Sequence, residues 1–495
     1  MRRLLTASCI ALPVLLGACG TTVPLSQQVA GPAGNDGLGD GLSPAGSTTA
    51  GTGTTPTGAL NGLPAPSSTG AAGTPTGAGV PTSQAIRSFT GRGVTATTVT
   101  IGIAVATGTD ALANSFGISG GGSVPVEDIA KAVVNNVNSS GGVLGRKLAL
   151  QVHSFDAAQA VANPEAAAAG ICSDYRDDHK VFAVLFDVTL PSLRKCLAEM
   201  GSPLIVRGGF TLMPASAYRA YGGNYLYGPD AITTEKLAAL FVSSLTDRLF
   251  HSPWNVATGD PGGLAPVKLG AIHVDSPDQN ALYAAYASEL AKHGLKFADT
   301  VTYPQNATSA LAATQNAVLK FRSDGITHVY GASAFFLQAA QSQGYHPRYA
   351  YLPGLGALGA QNSPAAQLKG AMTVGWIPTS DVAAAQDPGD LAGGARCRGV
   401  MRAAALSMSN RADLEAAYSV CDAIYSLRDA LTAGGEPSVR GLRQGYDSLG
   451  ARFPAAMTFR STLSPTQHYG VSTVRDMAYD SACSCLVFTS KKDRS

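Results

Sequence analysis

Ions are scarce in this 495-residue chain. Only 14% of its residues are charged, against about 25% in an ordinary soluble domain. Lys and Arg number 35 and Asp and Glu 33, leaving a formal charge of +2. A nucleic-acid partner requires a concentrated basic face, and this balance supplies none. Long apolar runs are missing too. Nothing after the N-terminus approaches the roughly 18 uninterrupted apolar residues of a membrane span, and the run at 4–16 is too short. There is no G-x-x-x-x-G-K-[ST] phosphate loop, so the chain does not hydrolyse ATP that way. There is no H-E-x-x-H, and the eight histidines are scattered. Collagen, coiled coil and polytopic membrane protein are excluded. What is plentiful is Gly (57) and Pro (28), spread so unevenly that two different materials are present.

The N-terminus reads as an address. Arg2 and Arg3 precede the apolar run, and small residues lead to Cys19, the order of a secretory signal. Leu16, Gly17, Ala18 and Cys19 together resemble a bacterial lipobox, which implies a signal peptide over 1–18 and a lipid on Cys19. The plainer alternative is a secretory signal with a chance cysteine. Acyl chains contribute about 0.8 kcal/mol per buried methylene, enough for stable anchoring when two or three are present. From Gly20 to Ser83 there is no Lys, Arg or aromatic residue. Such a stretch cannot bury enough surface to offset ordering its backbone, so 19–93 reads as a disordered tether with a reach of roughly 45 Å. The Thr/Ser/Pro content also permits a glycosylated stalk.

From 94 onward apolar strands alternate with amphipathic helices. Strands are expected at 99–106, 147–155, 181–186 and 203–206, with helices at 125–138, 159–177 and 191–200 between them. A second series starts near Tyr227. It has helices at 233–248, 278–293, 309–323 and 334–343, with strands at 268–274, 297–303 and 327–330. Repeated strand–helix units predict an α/β fold of doubly wound parallel sheets. About 400 residues exceed one comfortable core, so two lobes are expected.

The segment NSSGGVLGRKLALQV (138–152) resembles the N-x-x-G-G-v-x-G-R-k signature of type I periplasmic solute-binding proteins of the leucine-binding-like group. YLYGPD (225–230) resembles that family's crossover between lobes, and FLQAAQSQGY (336–345) one of its helix ends. The resemblance implies two lobes joined by three crossovers, lobe 1 being 94–227 plus about 370–435 and lobe 2 being 228–369 plus about 436–489. It implies no catalysis and no cofactor or metal. It implies a small solute, an amino acid or a relative, clamped between lobes by a monomer for the permease subunits of an ABC importer. With the lipobox, the implied location is the outer face of the cell membrane. A solute-sensing lipoprotein and a ligandless surface protein are the alternatives.

In open α/β sheets ligands sit beyond the carboxyl ends of the strands. The candidate residues are therefore Thr107, Thr109 and Asp110 after the first strand, Asp187 and Thr189 after the third, and Gly208, Gly209, Phe210 and Thr211 after the fourth. In the second lobe they are Asp275, Ser276, Asp278, Ser333 and Phe335. Amino-acid binders of the family carry Gly and Ser/Thr after the third strand, where this chain has FDVTLP (186–191). Asp187 would repel a carboxylate. An acid to meet an ammonium group is not found near 332–336. An amide, polyol, peptide or cationic solute fits Asp187 better.

With Cys9 removed and Cys19 lipidated, six cysteines remain, an even count that reads as disulfides in an exported protein. Cys172 and Cys196 lie on helices flanking one strand, and Cys397 and Cys421 repeat their spacing. Elimination leaves Cys483 with Cys485, two apart on a terminal strand. Ser119 sits in a formal G-x-S-x-G, but mid-loop rather than on a strand-to-helix elbow. The segment from Asp174 to His179 reads as a solvated helix end, and Tyr283 and Tyr286 as packing residues.

Overall fold

The computed structural model describes residues 89–109, 111, 122–187, 190–208, 211–304, 307–354, 360–389 and 391–495. The signal sequence, Cys19, most of the tether and Ser119 lie outside the described residues.

Five parallel strands form the first sheet: β1 (Thr98–Thr107), β2 (Lys147–Asp156), β3 (Ala183–Phe186), β4 (Leu204–Val206) and β5 (Leu226–Tyr227). Their order is β2-β1-β3-β4-β5. A small hairpin follows, β6 (Trp254–Asn255) with β7 (Asp260–Pro261). The second sheet holds β8 (Leu269–Val274), β9 (Phe297–Tyr303), β10 (His328–Tyr330), β11 (Arg348–Ala350), β12 (Met372–Gly375), β13 (Arg475–Asp480) and β14 (Cys485–Phe488). Its order is β14-β13-β12-β11-β10-β8-β9. The strands from β8 to β12 run parallel, and β13 and β14 add an antiparallel edge. This is the α/β architecture of two parallel-sheet lobes that the alternation predicts.

Local chemistry explains the first unit. The Val126–Ser139 helix starts after Pro125, carries Glu127 and Asp128 in its first turn, and buries Ile129, Val133, Val134 and Val137 on one face. The glycines of the signature then turn the chain. Gly142 has φ +72, and a Cβ there would stand 1.9 Å from the Arg146 carbonyl oxygen. Arg146, 1% exposed, donates to Thr95 O at 2.8 Å and Phe89 O at 3.1 Å. That signature therefore builds a turn and pins the entering chain.

Three expectations need correction. The helix expected at 159–177 is broken into Ala157–Ala162, Pro164–Ser173 and a π-helical turn, Asp174–Asp178. Pro164 disfavours helical geometry at the residue before it, and Asn163 instead caps the new helix by accepting from Ala166 N. The second passage between lobes falls after Gly375 rather than near 370, because β12 pairs within the second sheet. Finally, Cys483 lies in the β13–β14 turn and only Cys485 is on a strand. Strand residues two apart stand about 6.6 Å from each other, whereas these Cα atoms are 5.2 Å apart. Ser484 reaches the tighter path with φ +51. The other disulfides are Cys172–Cys196 and Cys397–Cys421.

The long Arg411–Gly434 helix is buried along most of its length and packs against both Val126–Ser139 and Val439–Leu449. Close approach is possible because Gly445 faces it; a Cβ there would meet Ala430 O at 1.7 Å. Tyr446 of the Val439–Leu449 helix stacks on Tyr227 at 4.3 Å, so that helix, expected with lobe 2, sits against the end of the first sheet.

The chain passes between lobes after Tyr227, after Gly375 and through 450–474. The first and third passages are zipped by backbone bonds: Gly228 N to His468 O (2.8 Å), Gly470 N to Gly228 O (2.8 Å) and Val471 N to Ala231 O (3.0 Å). These bonds tie the first and third passages to each other.

Candidate functional site

Parallel pairing brings the carboxyl ends of β3 and β4 side by side, with Phe186 opposite Val206. One residue further, Asp187 meets Arg207. Arg207 Nη2 donates to Asp187 Oδ2 at 2.8 Å, with the side chains 4% and 14% exposed, Arg207 the deeper. Burial pushes the Asp187 carboxyl up from its ordinary pKa, and the guanidinium partly restores it. Thr211 Oγ1 donates to Asp187 O at 2.7 Å. The expected repulsion of a carboxylate is therefore corrected: Arg207 neutralises Asp187. Arg207 Nη1 reaches Ser419 Oγ at 3.4 Å, while its buried Nε has no partner among the described residues.

Ser419 belongs to a polar seam on the otherwise apolar Arg411–Gly434 helix. Glu415, Ser419, Asp422 and Ser426 recur at helical spacing, so they share one face. Each addresses a different part of the junction. Ser426 Oγ meets Tyr446 OH at 2.9 Å. Asp422 accepts from Ala456 N and Met457 N at 2.8 Å. Glu415 faces Ser380 and the neighbouring Asp381.

Asp381 closes the turn beyond β12 by accepting from Ile377 N at 2.7 Å. It is 1% exposed, and burial raises its pKa to about 8, with Glu415 adding to the rise. Glu415 is half-buried, also raised by desolvation, and makes no salt bridge among the described residues. The Ser380 hydroxyl beside it is buried without closing a hydrogen bond of ordinary geometry. A single helical turn, about 5.4 Å, separates Ser419, which holds Arg207, from Glu415. The carboxyl ends of both sheets thus converge on this one helix.

The remaining candidates fare differently. Asp278 Oδ2 lies 3.3 Å from Arg194 Nη1 on the Pro191–Glu199 helix, an ion pair between the two lobes. Ser276 and Ser333 are spent as caps, accepting from Gln279 N and Phe336 N. Asp275 holds Asn280 Nδ2 at 2.9 Å. Phe335 is half-buried, and Thr107 is exposed and donates to Phe155 O. Asp110, Thr189, Gly209 and Phe210 lie outside the described residues. The fold therefore joins Asp187 and Thr211 in one cluster and Asp278 in a second contact. Reading strand ends alone missed Arg207, Ser419, Glu415, Ser380 and Asp381. Two signals were available: an Arg directly after the apolar strand Leu204–Val206, and the four-residue polar stripe at helical spacing.

Among the described residues no three His, Cys, Asp or Glu side chains could hold a metal ion, and no helix is long and apolar enough to cross a membrane. The segment from Asp174 to His179 is a π-helical end exposed from Arg176 to His179, as expected, with Tyr175 buried and Asp174 partly so. Asp174, 19% exposed, lies 3.0 Å from His153 Nδ1 and 3.4 Å from His179 Nε2, because the π-helical turn directs it back at β2. Tyr283 and Tyr286 are buried; Tyr283 stacks on His273 at 4.0 Å.

No family model matches the sequence, and no curated protein matches it. Solved structures do resemble the fold. A type 1 periplasmic binding protein from Bordetella pertussis Tohama I covers 80% of this chain and 99% of its own, with a TM-score of 0.54 at 15% identity. A fatty acid ABC transporter substrate-binding protein from Thermomonospora curvata covers 81% and 93%, with a TM-score of 0.56 at 13% identity. An ABC transporter solute-binding protein from R. palustris, in complex with 4-hydroxybenzoate, covers 80% and 97%, with a TM-score of 0.54 at 12% identity.

Proposed function

With the type I periplasmic-binding fold as premise, we propose that this chain is a lipid-anchored, extracytoplasmic solute receptor that delivers a small molecule to an ABC importer. It acts without catalysis. The observation that carries the reading is the convergence of both sheets' carboxyl ends on one helix, where the buried Arg207 Nε has no partner among the described residues and Glu415, which makes no salt bridge there, faces Ser380. A buried donor left unpaired is costly, and a bound solute would relieve it. Structural neighbours bind 4-hydroxybenzoate or are named for fatty acids, all carboxylates, and a guanidinium suits that group. Glu415 and Ser380 suit an ammonium or another hydrogen-bond donor, which makes an amino acid or a close relative the best match to the pair. Lobes that close around such a solute present one shape to the permease subunits.

The experiment is a thermal-shift panel of amino acids, hydroxybenzoates, fatty acids, amides, polyols and polyamines, with Trp376 beside β12 as a fluorescent reporter of closure. A true solute at 100 times its Kd stabilises by about 2.7 kcal/mol. Glu415→Gln is expected to weaken binding of a donor-bearing solute at least tenfold. A panel in which nothing shifts the melting curve would remove the reading. For the anchor, Cys19→Ala should move the protein from the membrane fraction to the medium.

A further inference from the structure

Asp230 and Asp422 form an arrangement that solute capture does not use. Asp230 lies on the first passage between lobes, two residues beyond the Gly228 amide that bonds His468 O. Asp422 is on the Arg411–Gly434 helix and holds Ala456 and Met457 of the third passage. The two side chains are 1% and 0% exposed and face each other. Neither makes a salt bridge among the described residues, and neither carboxyl oxygen of Asp230 has a hydrogen-bond partner there. Two desolvated negative charges in contact would each cost several kcal/mol, so ionising both at once is not a stable state of this fold.

We propose that Asp230 and Asp422 share one proton, making a carboxyl–carboxylate clasp that fastens the first passage to the helix and, through Ala456 and Met457, to the third. Loss of that proton sets two like charges against each other and loosens the hinge. The surroundings support the assignment of roles. Asp422 receives two backbone N–H bonds and feels the Arg396 guanidinium on the neighbouring Gly394–Ala403 helix, which favours its charged form. Arg396 is drawn away toward Asp429 and the Tyr425 ring, 3.8 Å from its guanidinium. Asp230 has no such help; it faces Asp422 and the Tyr446 phenol. Asp230 is therefore the proton's main holder. Burial and then the Asp422 charge raise Asp230 well above the usual carboxylate range, whereas burial alone raises Asp422, to about 6, against the facing Asp230 side chain, which lowers it.

The sign follows from linkage. The folded state binds this proton at a pH where the unfolded chain has already released it, so the stability the clasp contributes is complete below about pH 4 and is lost as pH rises through the folded values. The test uses the intact chain at two levels. In carboxyl-labelled wild-type protein, an aspartate carbon in addition to that of Asp381 should titrate above the ordinary carboxylate range, and Asp230→Asn should abolish that titration while leaving the Asp381 one. Amide exchange across 228–232 should accelerate beyond its intrinsic pH dependence between pH 6 and 9 in the wild type and not in Asp230→Asn, whose amide supplies a permanent donor to Asp422. Wild-type protein in which no aspartate carbon but that of Asp381 titrates above the ordinary range, or a variant whose exchange profile superimposes on the wild type, would overturn the clasp. Solute binding measured alongside keeps this outcome separate from the receptor reading, because ligand-induced shifts can persist with either result.

Discussion

The second lobe buries a guanidinium and neutral imidazoles at the amino ends of its strands, and the junction of the two lobes buries acids at the carboxyl ends; the two regions treat buried polar groups in opposite ways. At the amino ends, His328 of β10 lies beside Arg348 of β11. Arg348 donates to Gly370 O at 3.1 Å, Leu249 O at 2.9 Å and Ser252 Oγ at 3.3 Å. Its guanidinium stands 5.0 Å from the Phe250 ring and 5.2 Å from Trp254. His328 bonds Phe250 O and Thr327 Oγ1, and His251 bonds Tyr330 OH. This cluster is saturated by neutral acceptors. At the carboxyl ends, Arg207 Nε, Asp381 Oδ1 and both oxygens of Asp230 have no hydrogen-bond partner among the described residues. A satisfied buried charge holds a fold together; an unsatisfied one has something left to bind, which is where the proposed solute and the proposed shared proton are placed.

The pH responses should also oppose each other. Burial lowers His251 to about 4 and His328 to about 3, so both fold neutral. The unfolded chain takes up protons there below about pH 6.5, and acid therefore weakens the amino-end cluster. Burial raises Asp422 to about 6 and Asp381 to about 8, so alkali weakens the junction.

The largest effect is expected from Arg207→Met, which leaves Asp187 buried without its countercharge. Urea unfolding should register a loss of about 3–5 kcal/mol, together with loss of solute binding; unchanged binding would separate Arg207 from the site. Arg348→Leu should cost about 2–3 kcal/mol by stranding the carbonyls it satisfies, and solute affinity should stay within twofold. A large change in affinity would erase the distinction between the two regions. Smallest is Asp278→Asn, which removes the ion pair to Arg194. About 0.5 kcal/mol is expected, with a larger radius of gyration in solution scattering if that pair helps hold the lobes together.

Much of the architecture was legible from periodicity. The strands β1 to β4 and β8 to β10 fall within two residues of where apolar runs placed them, and the most deeply buried of them, such as β3 and β4, are continuously apolar because both of their faces are covered. The two-residue strands β5, β6 and β7 were not expected. The Asp187 position was legible as well, since parallel strands put their loops at one edge. Its partner was not. Arg207 follows Leu204–Val206 by one residue, but only the register of β3 against β4 tells which acid it meets. The polar stripe from Glu415 to Ser426 was visible as spacing, though an exposed amphipathic face would show the same spacing. Pro164 was an overlooked signal for the broken helix, and the Cys483–Cys485 turn was misplaced because strand geometry was assumed through it.

Local patterning by itself determined the alternation of strand and helix, the turn built by Gly142 and the chemical kinds of residue standing at strand ends. These follow from backbone sterics and from the burial of apolar surface, which act over a few residues. Tertiary structure decided which charges lost their water and which found a counterpart: Asp187 with Arg207, Asp278 with Arg194, Asp230 with Asp422. Desolvation and pairing depend on distance in space, and residues 192 apart in the chain, like Asp230 and Asp422, have no shared local signal from which either could be read.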